Sequence, residues 1–192
     1  MIVQTSRLRR LHPPGLQLRL DAQDTAVEAR RDALMSYVEH FLAQRRRLWP
    51  DIRRPIVYDI DDTLVTRPDG IHDVLIPRIA RTYHMFRTHF PTYIVTARVA
   101  DRGITARMLK QARLDGYVKL LMRPPGMDPA HFKWEARQRI SQEAGPVQLT
   151  VGDQHWDVLP HPSRMRLPSC GCILLHPRGK GELGVLLPEH GG

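Results

Sequence analysis

Three short runs hold the side chains best suited to chemistry: Asp59, Asp61, Asp62 and Thr63 in the first, Thr96 and Arg98 in the second, and Gly152, Asp153 and Asp157 in the third. Asp59 and Asp61 are separated by one residue, so at the end of an extended strand they project to the same side. Two neighbouring carboxylates repel, and neither ionises fully without a cation or a shared proton. Adding Asp153 and Asp157 gives an oxygen-only set suited to Mg²⁺, which keeps several waters and takes few carboxylates. A phosphate would complete the shell, with Thr96 offering a hydroxyl donor and Lys133 a point charge for phosphoryl oxygens. The chemistry these parts allow is attack of a carboxylate on phosphorus, with a second carboxyl protonating the leaving oxygen.

Other uses of the acids fail on spacing. An EF-hand loop starting at Asp59 needs Gly at its sixth position and Glu at its twelfth, where this chain has Leu64 and Gly70. A P-loop needs GxxxxGK[ST], and Gly179-Lys180 is followed by Gly181. Any one of these acids could simply cap a turn or a helix. Their order along the chain and their common position at strand ends argue for a shared site.

The elements that must position them alternate. Residues 24–48 read as a helix, with Leu34, Tyr37, Val38, Phe41 and Leu42 as its apolar stripe and Trp49-Pro50 as its stop. Strand 56–60 is followed by a helix over 74–90 whose apolar face is Ile76, Ile79, Ala80, Tyr83 and Phe90. Strand 93–96, helix 102–114, strand 117–121, helix 130–144 and strand 148–151 follow, with β candidates at 172–175 and 184–187. This alternation predicts an α/β fold: a Rossmann-like three-layer sandwich with a mostly parallel sheet of about five strands. In such sheets ligands sit beyond the carboxyl ends of the strands. Five of the 20 acidic residues fall at two such ends.

Composition narrows the class. The 192 residues suit one core plus a short arm, and 42% hydrophobic with 26% charged residues is ordinary for a soluble chain. No apolar run is long enough to span a membrane. Two cysteines, Cys170 and Cys172, exclude a disulfide framework and fit a reducing, cytoplasmic setting. With His161 and His176 they suggest buried thiols on a late strand more than a zinc site. The 29 basic against 20 acidic residues give +9. That balance favours polyanionic or phosphorylated partners, unless it merely reflects Arg-rich codon usage. Residues 1–54 form a basic N-terminal arm and amphipathic helix, and 55–192 the domain that carries the acids.

Val57-Tyr-Asp-Ile-Asp-Asp-Thr-Leu64 resembles the DxDx[TV] motif of the haloacid dehalogenase (HAD) superfamily of phosphohydrolases, in its acid-phosphatase form. Ile94-Val-Thr-Ala-Arg98 resembles the second motif, Phe132-Lys133 the third and Val151-Gly-Asp-Gln-His-Trp-Asp157 the fourth, so the similarity spans residues 55 to about 175. The resemblance implies Asp59 as the nucleophile that becomes an aspartyl-phosphate and Asp61 as acid and then base. It implies Thr96 and Lys133 as holders of the phosphoryl group. Mg²⁺ would be held by Asp59, Asp153 and the Asp61 carbonyl, with Asp157 in support. Lys110 and Lys119 compete with Lys133, and Lys119 reads as a strand-side surface residue. Asp62 stands where many members have Gly.

Members of that superfamily differ in the cap over the site. About ten residues after Leu64, and one helix plus one strand between Thr96 and Lys133, leave no room for a cap domain here. Capless members tend to act on bulky phosphates. With the positive charge, this implies a nucleotide or nucleic-acid end, as in the phosphatase half of polynucleotide kinase-phosphatases. A phosphoprotein, or a small phosphomonoester under an N-terminal lid, is the other option. Arg98 is a candidate phosphate ligand. It and Arg67 lie close enough to the mouth to touch substrate, and each reads equally well as solvated surface. His155 has a positional argument for substrate contact, and Trp156 reads as core. The rival class is a non-catalytic, basic HAD-like module docking nucleic acid or protein through residues 1–54, which carry 11 basic and 6 acidic residues.

Overall fold

Strand β1 (Ile56–Tyr58) is buried on both faces and lies at the middle of the sheet, as expected for a short apolar run in a parallel arrangement. The description rests on a computed structural model that places residues 22–67, 70–99, 101–158, 172–175 and 183–188, with backbone alone for 22–25 and 172–175. Helix α1 (Ala22–Leu48) precedes β1, and the hairpin strands β2 (Val65–Thr66) and β3 (Val74–Leu75) follow it. Then come α2 (Pro77–Phe86), β4 (Thr92–Thr96), α3 (Arg102–Gln111), β5 (Lys119–Met122), α4 (Pro129–Ala144) and β6 (Leu149–Gly152). A single turn of helix, α5 (His155–Val158), and strands β7 (Cys172–Leu175) and β8 (Leu183–Leu186) complete the described chain.

The main sheet has the order β5-β4-β1-β6-β8-β7. Its first five strands run parallel, and β7 pairs antiparallel with β8 at the edge. The expected mostly parallel sheet is therefore present, with one reversed edge strand added. Side chains alternate along each strand and build a core on either face. Ile56, Tyr58 and Ile94 pack with Val38, Leu42, Ile79, Tyr83 and Leu109 from α1, α2 and α3. Val57, Tyr93 and Val95 pack on the other face with Phe132, Ala136 and Ile140 of α4.

Local chemistry sets the helix ends. The Asp101 carboxylate accepts from Ile104 N–H at 3.0 Å to start α3, and Asp128 accepts from His131 N–H at 2.8 Å to start α4. Gly145, at φ +87°, follows the last residue of α4. Helix α2 begins at Pro77 rather than at 74, because residues 74–75 are taken by the hairpin. Pro at the first helical position costs no internal hydrogen bond. On α1 the buried stripe is Leu34, Met35, Val38 and Leu42, and Tyr37 is exposed, so the apolar face is rotated from the expected one. The N-terminal arm (residues 1–20) and the proposed thiol and histidine group of Cys170, His161 and His176 lie outside the described residues, as does the side chain of Cys172.

Helix α1 is tied to α2 by Glu39, which accepts from the Arg78 guanidinium at both carboxylate oxygens and from the Thr82 hydroxyl at 3.0 Å. These hydrogen bonds, that of Arg78 first, hold the Glu39 pKa below its ordinary value despite partial burial. A depressed carboxylate stabilises the fold above its unfolded pKa and loses that contribution as pH falls through its folded one. Replacing Glu39 by Ala should cost about 1–2 kcal/mol in urea unfolding at pH 7. The difference from the native chain should shrink as pH falls below the ordinary glutamate value of 4.5.

Candidate active site

Neighbouring strands bring the acids together. β1 and β6 are hydrogen-bonded in parallel with Tyr58 opposite Val151, and Asp59 N–H continues the ladder by donating to Val151 O at 3.0 Å. Asp59 therefore stands one strand spacing, about 4.8 Å, from the chain entering Asp153. The α5 turn then returns Asp157 to the same place. Carboxylate oxygens of Asp59, Asp153 and Asp157 all lie within 4.8 Å of one another, and all three residues are buried.

One buried cation answers them. Lys133 Nζ from α4 is ion-paired with Asp59 Oδ1 and Asp157 Oδ1, each at 2.6 Å, and donates a hydrogen bond to the Val95 carbonyl at 2.7 Å. Burial alone would depress this ammonium, but Asp157 and Asp59 outweigh that and hold it above the ordinary lysine value. Three carboxylates against one ammonium leave an excess of negative charge out of water. Burial, reinforced by Asp157 and Asp153 and opposed by Lys133, pushes the Asp59 carboxyl well above its usual range. Asp153 is pushed up to about 7, chiefly by burial and then by Asp157.

The rest of the framework holds these groups in register. Asp153 accepts from Gln154 Nε2 at 2.6 Å and from Thr63 Oγ1 at 3.4 Å. Gln154 N–H donates to Asp157 Oδ2 at 3.0 Å. Arg137, one helical turn after Lys133 and also buried, donates to the carbonyls of Asp157 and Trp156 at 2.7 and 3.1 Å and so fixes α5. Gly152 is required by close approach, since a Cβ there would lie 2.2 Å from Asp157 Cβ. Gly152→Ala should therefore displace Asp157 and destabilise the protein by about 1–3 kcal/mol, read from thermal unfolding.

The acid run turns away from the strand sooner than expected. β1 ends at Tyr58, and the amides of Thr63, Leu64 and Val65 all converge on Ile60 O. Asp62 adopts φ +51° and accepts from Thr66 Oγ1 at 2.9 Å. Short polar Asp tolerates this left-handed conformation where a branched residue would not. The Asp61 carboxylate is consequently not part of the converging set. It is held at the mouth by Arg98, whose Nε lies 3.0 and 2.9 Å from its two oxygens and whose second terminal nitrogen lies 2.6 Å from Oδ1.

Arg98 also donates to Asp73 at 2.8 Å, and Asp73 accepts from Arg67 Nε at 2.9 Å, so the β2–β3 hairpin is fastened to the site. Arg98 is mostly buried in these ion pairs rather than solvated. Thr96, fully buried, accepts from Arg98 N–H through its hydroxyl at 3.2 Å. Lys119 sits at a half-exposed surface position paired with Glu143, away from the acids. Trp156 is half-buried, not core, and meets the His155 ring edge-on at 4.7 Å.

Sequence reasoning missed Gln154, Asp73 and Arg137. For Arg137 a signal existed: Lys133 and Arg137 recur at helical spacing on the same stripe as Phe132, Ala136 and Ile140, where a solvated cation has no place.

No family model matches the chain, and no curated protein does. Among solved structures, it is similar to a chain of the Pnkp1/Rnl/Hen1 RNA repair complex, with a TM-score of 0.48 and 22% identity over 55% of this chain and 37% of that one. A second structure of the Pnkp1/Rnl/Hen1 complex matches with a TM-score of 0.45 and 20% identity over 55% of this chain and 41% of that one. The matched region is thus less than half the length of either of those chains.

Proposed function

We propose that this protein is a magnesium-dependent phosphomonoesterase of the HAD type, working through an aspartyl-phosphate on Asp59. The observation that carries the reading is the buried group of Asp59, Asp153 and Asp157 around Lys133 at the carboxyl edge of a parallel sheet. Such a cluster is costly without a cation, and carboxylate oxygens in this number suit a hard divalent ion. The donor set therefore fits Mg²⁺, with Asp59 and Asp153 as side-chain ligands, the Asp61 carbonyl as a third and Asp157 in support. When bound, the ion would neutralise phosphoryl charge.

In the first half-reaction an Asp59 oxygen forms a bond to phosphorus while the bond to the leaving oxygen breaks. Asp61, at the mouth, gives that oxygen its proton. In the second, Asp61 takes a proton from water, whose oxygen attacks phosphorus and releases inorganic phosphate with Asp59 restored. Arg98 sets where Asp61 stands, and a phosphate entering between them would draw on the same guanidinium. The Thr96 hydroxyl and the Lys133 ammonium complete the electrostatic cradle. Among the described residues the segments after Leu64 and after Thr96 hold only a two-stranded hairpin, one helix and one strand. The lack of a cap domain among the described residues and the +9 charge favour a nucleotide or nucleic-acid end as substrate.

The test is release of phosphate from a generic aryl phosphate with Mg²⁺, abolished by chelator and restored by the ion, followed by nucleotides, end-phosphorylated oligonucleotides and phosphopeptides. Turnover that ignores chelator excludes the metal-assisted reading. The fastest turnover on phosphopeptides excludes the nucleic-acid preference.

A further inference from the structure

A second concentration of charge lies at the opposite edge of the sheet. Residues 45–54, which close α1 and lead into β1, hold Arg45, Arg46, Arg47, Arg53 and Arg54 against the single acid Asp51. Their place is fixed by the fold: the Arg54 carbonyl accepts from Gln148 Nε2 at 2.8 Å, just ahead of β6, and Arg46 lies 2.9 Å from His89, just ahead of β4. This is the edge where the strands begin, one strand length of about 16 Å from the acids.

The same ten residues leave large apolar groups in water, with Leu48, Trp49 and Ile52 exposed by 56, 47 and 46%. The Arg45 guanidinium lies over the Trp49 ring at 5.3 Å and over Phe41 at 5.1 Å. Beside them a cavity of about 650 Å³ opens between α1 and the end of α2, lined by His40, Arg46, Arg47, Phe86 and His89 together with one acid, Glu39, which is already paired with Arg78.

We propose that this edge binds single-stranded nucleic acid. Arginines in this number suit a polyanion, and an exposed indole braced by a guanidinium offers a stacking platform for a base of any identity. A duplex keeps its base faces covered and gains nothing from that platform. A concave cleft between two helices suits a chain better than a flat bilayer. The inference extends the substrate preference proposed above but stands on different residues. A strand bound here reaches the acids after about five stacked nucleotides.

The experiment measures fluorescence anisotropy of a labelled oligo-dT of about 20 nucleotides without a terminal phosphate, over a salt series. The intact chain should bind. The variant carrying Arg46→Glu, Arg47→Glu and Trp49→Ala should bind at least about tenfold more weakly, with a shallower dependence on salt. It should keep its circular dichroism and its turnover of aryl phosphate. Asp59→Asn should bind as the intact chain does, so failure of the phosphatase reading leaves this result standing. Absence of oligonucleotide binding, equal binding by the triple variant, or tighter binding to phosphatidylserine vesicles than to the oligonucleotide overturns the proposal.

Discussion

Asp59→Asn should lower magnesium-dependent phosphate release by at least about a thousandfold, equivalent to about 4 kcal/mol of transition-state stabilisation. An amide keeps the shape of the carboxylate but is far too weak a nucleophile to form the acyl phosphate. The fold should survive, because the substitution removes one of three crowded carboxylates and leaves Lys133 paired with Asp157 at 2.6 Å. Thermal unfolding without metal should shift little, and stabilisation by Mg²⁺ should diminish with the loss of a ligand. A variant that retains half the native turnover removes Asp59 from the chemistry.

Lys133→Met should produce the largest loss of stability in the molecule. Its ammonium is buried and touches Asp59, Asp157 and the Val95 carbonyl. Methionine fills much of the space and leaves the acids facing one another without it. Removing one partner of a buried pair costs about 3–5 kcal/mol. Urea unfolding at pH 7 without divalent ions should show that loss, and Mg²⁺ should recover part of it by supplying positive charge to the same oxygens. Activity should fall as well, since phosphoryl oxygens lose the same point charge. Unchanged metal-free stability contradicts the assigned role of Lys133 as counter-ion.

Much of the architecture was legible because it follows from periodicity. Strands of apolar residues ending in acids, alternating with helices closed by Gly or Pro, predict a parallel sheet and its ligand edge, and the sheet order puts Asp59 beside Asp153. Less legible were features decided by contacts distant in sequence. The rotation of the α1 stripe from Tyr37 to Met35 depends on how α1 meets α2, which the helix's own pattern leaves open. The departure of Asp61 from the acidic group follows from three amides converging on Ile60 O, a turn that no local glycine announces. Arg98 was open between substrate contact and solvated surface because its partner Asp73 lies 25 residues away, across a hairpin.

The most direct measurement is to look for the covalent phosphate. The protein is mixed with an aryl phosphate and Mg²⁺, quenched in acid, digested and examined by mass spectrometry. One phosphoryl group should appear on the peptide containing Asp59, labile to hydroxylamine, and it should be absent with chelator or in Asp59→Asn. Turnover without a label on Asp59, or a label on any other residue, contradicts the account.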